Sequence, residues 1–130
     1  MTEELKQLLA RHTVNSTETL ERFLNDEQLY IHFLYKFTQD STFAKFLDAV
    51  DADDYIGSFE QAHALKGVCG NLGFQDFYQY FAELSDDLRS AGKPIDFVLF
   101  QERVEAVRKS YPLLISELLA TEDVLGAKNK

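Results

Sequence analysis

His63 stands in the run His63-Ala64-Leu65-Lys66-Gly67-Val68-Cys69-Gly70-Asn71-Leu72-Gly73. A free imidazole titrates at ~6.5, so its neutral, attacking form is available near pH 7. Lys66 follows one helical turn on, where an ammonium can neutralise an anion as a mobile point charge. If the run is helical, turning ~100° per residue puts Lys66, Gly67 and Gly70 within roughly 60° of His63. Leu65, Val68, Cys69 and Leu72 then turn away. Each interior glycine costs a helix ~1 kcal/mol relative to alanine, so two on the histidine's face need a reason. Access for a large partner is one; close helix packing is the other. Ile56 and Phe59 fall within roughly 40° of the same face. Beside an exposed histidine they would form an apolar docking patch, although Phe59 also suits a core.

The elements around this run read as helices. Glu3 to Arg11 is amphipathic, and Asn15 with Glu18 makes a capping box for a short helix through Leu24. Asp26 to Phe37 carries the apolar set Leu29, Ile31, Phe33, Leu34 and Phe37. Ser41 or Thr42 can cap a piece bearing Phe43, Phe46, Leu47 and Val50, and the pattern leaves open whether it continues the helix before it. Asp53 or Asp54 caps the histidine helix, which runs to Leu72 and stops at Gly73 in a left-handed conformation. The next helix spans about Phe74 to Ser90, with Phe77, Phe81, Leu84 and Leu88 on one stripe. Ala91-Gly92-Lys93-Pro94 is a turn. Phe97, Phe100, Val104, Val107, Tyr111, Leu114 and Leu118 then form the seam of a last long helix, kinked at Pro112. Glu122 to Lys130 is polar and reads as a frayed tail. The expectation is an all-α chain of one domain. An antiparallel up-down four-helix bundle spans about Asn25 to Glu122, with short helical pieces over residues 1–24 packed across one end.

Composition removes several classes of function. The chain has 130 residues, 45% of them hydrophobic, enough for a core without disulfide or metal. A formal charge of −9 argues against nucleic acid and against an anionic membrane surface. Cys69, the single cysteine, excludes an internal disulfide and reads as a small core residue. No stretch reaches the ~20 apolar residues that span a bilayer, and the acidic start Met1-Thr2-Glu3-Glu4 is no signal peptide; a cytoplasmic location is expected. Glu60 and His63 form a Glu-x-x-His pair, but a di-iron bundle needs a second, and neither His12 nor His32 has a glutamate three residues before it. No metal site is expected. A kinase would need a glycine-rich phosphate loop, which is missing, and no nucleophile is paired with a base for hydrolysis.

The histidine, the apolar Leu65 two residues on, Lys66-Gly67, and Leu72-Gly73 closing the helix resemble the signature of histidine-containing phosphotransfer domains. The resemblance extends to the layout from about Asn25 to Glu122. It implies a phosphocarrier rather than an enzyme with its own turnover. His63 would accept a phosphoryl group from an aspartate of a response-regulator receiver domain and hand it to another receiver, with Lys66 stabilising the charge. Gly67, Gly70, Ile56 and Phe59 would form the docking face. The receiver would bring Mg²⁺, this chain binding no cofactor itself, and a hybrid histidine kinase is a further candidate partner. A free-standing monomer is expected. The family often carries a glutamine or glutamate on the following helix that bonds the imidazole's other nitrogen. That position falls on Ser85, which is shorter, leaving open contact through water or a reach by Asp86. The competing expectation is a helical adaptor that docks a receiver or kinase without carrying phosphate.

Overall fold

In the computed structural model, which describes residues 1–89 and 92–128, every regular element is a helix. In chain order these are α1 (Glu3–Arg11), α2 (Ser16–Arg22), α3 (Glu27–Thr38), α4 (Thr42–Asp51), α5 (Tyr55–Leu72), α6 (Gln75–Leu88), α7 (Phe97–Ala120) and α8 (Glu122–Ala127). Side-chain oxygens cap most of their N-termini, satisfying amides that have no partner within the helix. Thr2 accepts from the Leu5 amide, Asn15 from Glu18, Asp26 from Leu29, Asp54 from Gly57 and Asp96 from Leu99. Asp54, not Asp53, therefore opens the histidine helix. Ser41 makes no side-chain cap bond; the Thr42 amide donates to Asp40 Oδ1 instead, at 2.6 Å. The break at residues 39–41 makes α3 and α4 two helices, settling what periodicity left open.

The bundle is built on the α5–α6 hairpin. α4 packs against α5, α7 against α6, and α3 against both α5 and α7. From the N-terminal pieces, α1 reaches α7 and α2 reaches α5. Inside, Phe43 stacks on Tyr111 with ring centroids 4.1 Å apart, and Phe37, Phe77 and Phe81 surround the same tyrosine edge-on. Leu65, Cys69 and Leu72 are buried, as the histidine-helix pattern requires, and Ala62 and Ser58 join them. Burial pushes the Cys69 thiol well up, with the nearby carboxylates of Asp76 and Asp40 adding to the shift, so it stays protonated. The helix α7 runs through Pro112, whose ring lies on the exposed side. No helix among the described residues is long and apolar enough to cross a membrane.

Three expectations need correction. Phe97, first in the expected seam of α7, is half exposed: it opens the helix, and the ring packed on it, Tyr55, is itself exposed. The tail is also not frayed throughout: Glu122–Ala127 is a helix, capped by Thr121, whose Val124 and Ala127 are buried. Its apolar stripe is only two small residues three apart, too thin to stand out in a polar composition. Helix α6 ends at Leu88, with Arg89 at its C-cap. Ser90 and Ala91, expected at the end of α6 and in the turn, lie outside the described residues, as do Asn129 and Lys130.

The Asp123 carboxylate fastens α8 to the chain's start by accepting from the Thr2 hydroxyl and from the Thr2 amide, the latter at 2.9 Å. Partial burial pushes this carboxyl up, but the two Thr2 donors outweigh it and hold it below the ordinary carboxylate range. The contribution to stability is therefore complete above the unfolded-state value of ~3.9 and is lost as pH falls through the lower folded value. Amide exchange at Val124 and Leu125 should accelerate in that acid window before the rest of the bundle opens, and Asp123→Asn should remove that pH dependence. An unchanged profile in the variant would assign the acid response to other groups.

Candidate functional site

The helix that carries His63 is held at both ends. At its start Asp54 caps the Gly57 amide at 2.9 Å, and the Ser58 hydroxyl donates back to the Asp54 carbonyl at 2.7 Å. At its end Gly73 adopts φ +91°, which a residue with a Cβ would occupy only under strain. A Cβ there would also meet Thr19 Oγ1 at 2.4 Å, so the stop is fixed by packing as well as by conformation. The last carbonyls do not depend on water. Arg22 donates to Asn71 and Gly70 through its Nε and Nη2, each at 3.2 Å, and the buried Tyr30 hydroxyl donates to Leu72 at 2.8 Å. A guanidinium at a helix C-terminus also opposes the negative end of the helix dipole.

On that fixed helix His63 is exposed, and among the described residues its imidazole makes no hydrogen bond. One turn back, the half-buried Phe59 ring lies nearly parallel to it, at 16° with centroids 6.0 Å apart. Phe59 thus limits how the imidazole can swing. Ile56, a further turn toward the start, is 77% exposed, and with Phe59 it leaves apolar surface beside the histidine. Toward the other end Lys66 leans on Tyr78 of α6, its Nζ 6.0 Å from the ring centroid. Such a contact contributes ~0.5–1 kcal/mol at an exposed site and keeps the ammonium on the α6 side of His63.

The two glycines separate. A Cβ built on Gly67 meets nothing within 4 Å, so its small size opens the surface one turn beyond the histidine. A Cβ on Gly70 would come within 2.9 Å of Tyr78 Cδ2. Of the two reasons the sequence left open, access and close packing, the second applies at Gly70: the ring that supports Lys66 already fills that space. Helical angle places a residue around its own axis but does not reveal what a neighbouring helix sets against it.

Ser85 is buried, and its hydroxyl has no hydrogen-bond partner among the described residues; Asp86 is exposed. Neither bonds the imidazole. What the sequence reading missed is Arg89, whose guanidinium carbon sits 5.6 Å from the Phe59 ring centroid. No spacing along α5 pointed to it, because the contact is made across the α5–α6 hairpin by the residue that caps α6. Along α5 the two cations thus fall on either side of His63, Lys66 three residues on and Arg89 against Phe59 four residues back, in a chain of net charge −9. The arrangement suits an anion at His63.

Comparison with curated proteins and with solved structures found no match. The family model described as Hpt domain matches residues 3–121. Covering nearly the whole described bundle and the histidine helix within it, that match shows that the chain belongs to the Hpt domain family, the phosphocarriers of two-component signalling.

Proposed function

We propose that this chain is a phosphorelay intermediate. His63 takes a phosphoryl group from the aspartate of one receiver domain and passes it to the aspartate of another. The unprotonated ring nitrogen attacks phosphorus. The N–P bond forms as the bond from phosphorus to the aspartyl oxygen breaks, and the aspartate leaves as a carboxylate. Return to a second receiver is the same step reversed. The observation that carries this reading is the exposed imidazole beside the open surface at Gly67, with Lys66 held one turn away.

Phosphoryl transfer depends on in-line placement and on neutralising charge more than on covalent help. That division suits a carrier that supplies a fixed nucleophile and a cation. The receiver supplies Mg²⁺ and the remaining charge stabilisation, and its docking surface meets Ile56, Phe59 and Gly67. Phe59 orients the imidazole by contact, in place of a hydrogen bond from Ser85 or Asp86.

The experiment is a relay in two steps. A receiver charged with labelled phosphate should transfer acid-labile label to the chain, and the isolated labelled chain should then charge a second receiver. An adaptor that docks without carrying phosphate would bind the receiver and take no label. Lys66→Ala should slow transfer by up to roughly a hundredfold, the lower end of what losing one preorganised donor to developing charge costs, because this ammonium is partly solvated. Binding of the unphosphorylated receiver should change little. Equal loss of binding with and without phosphate would make Lys66 a docking residue instead.

A further inference from the structure

Away from His63, one end of the bundle leaves apolar surface uncovered. It is built from the end of α4 and the starts of α5 and α7. Phe97 and Val98 open α7 in a regular helical turn, since Asp96 caps the Leu99 amide at 3.0 Å, yet Val98 is 72% exposed. The Tyr55 ring packs on Phe97 with centroids 5.1 Å apart. Between these elements runs a groove of about 730 Å³ floored by Val50 and Phe100. Its lining carries three carboxylates, Asp53, Glu102 and Glu105, and no lysine or arginine. Glu105 is shared with Arg108, at 3.2 Å. Large apolar side chains grouped on a surface mark an interaction site, and the acidic edge states the charge of what would fit.

We propose that this groove docks a basic amphipathic helix of a partner protein. Its apolar face would lie over Phe97 and Val98, and lysines or arginines on its flanks would meet Glu102 and Asp53. The groove admits such a helix by the same rule that governs other helix-in-groove complexes. A second copy of this chain fits poorly, because a symmetric contact would set the same carboxylates against one another. An anionic lipid surface is repelled by the same edge. Tyr55 precedes His63 by eight residues, about 12 Å along the axis of α5, and none of the residues lining the groove is among those assigned to phosphotransfer.

A synthetic amphipathic peptide of leucine and lysine, and its leucine–glutamate counterpart, titrated into the isotope-labelled full chain, test this. NMR shifts should centre on Tyr55, Phe97, Val98 and Glu102. The leucine–lysine peptide should bind at least about tenfold more tightly than its counterpart. Val98→Ser, which removes exposed apolar surface, and Glu102→Lys should each weaken it by about tenfold or more, with melting temperature and phosphotransfer unchanged. His63→Gln should bind the peptide like the parent. Equal binding of both peptides, or shifts scattered over the acidic surface and indifferent to both variants, would overturn the proposal. So would self-association, or binding to phosphatidylglycerol vesicles, that Val98→Ser abolishes.

Discussion

His63→Gln is expected to take no acid-labile phosphate from a charged receiver while melting at the parental temperature. Glutamine keeps the bulk and polarity of the side chain but offers no ring nitrogen to attack phosphorus. The loss should therefore be complete rather than graded. Stability should be spared, because His63 is exposed and bonds no described residue; surface changes of this kind fall within about 0.5 kcal/mol. The other histidines are poorly placed to substitute. His12 Nδ1 is 2.8 Å from the Asp76 carboxylate, and its ring lies against Phe74 and Phe77. His32 is half-buried beside Phe33. Label persisting on the variant would remove His63 from the chemistry.

The second large effect is expected at Gly67, where stability and function should move in opposite directions. With nothing within 4 Å of its missing Cβ, alanine there should stabilise the helix by up to ~1 kcal/mol. Glutamine should also fold, yet its side chain would stand in the path of the docking receiver. Transfer should fall by at least about tenfold, the scale of a blocked interface position. Gly70 provides the contrast. Alanine there must push Tyr78 aside from 2.9 Å, so Gly70→Ala should be less stable than Gly67→Ala, and it should disturb the perch of Lys66. Thermal melts and transfer rates on the same four proteins, parent included, decide it. A folded Gly67→Gln that transfers at the parental rate would end the access explanation.

The contrast between these glycines shows where reading the chain reached and where it stopped. Angle along α5 placed His63, Lys66 and Gly67 on an open side and Leu65, Cys69 and Leu72 inside, because a helix's own geometry determines those relations. The Gly73 stop was equally legible, since a left-handed residue after an apolar run is a local requirement. What Gly70 faces depends on Tyr78, a residue of another helix, and no spacing within α5 carries that information. Arg89 was hidden for the same reason: its meaning comes from Phe59 across the hairpin. Phe97 looked like core because its periodicity continues that of Phe100 and Val104, but periodicity within α7 does not say what another helix sets over its first turn. In α8 the buried surface belongs to two small residues, and docking on α3 and α7 rather than amphipathicity makes it a helix.

The central claim is that a receiver's phosphoryl group moves to His63. Peptide mapping of the parental chain after transfer from a charged receiver tests it most directly, under alkaline conditions that preserve phosphohistidine. The label should reside on the peptide containing His63 and on no other. Label on His12 or His32, or a receiver that binds tightly and gives up no phosphate, would contradict it.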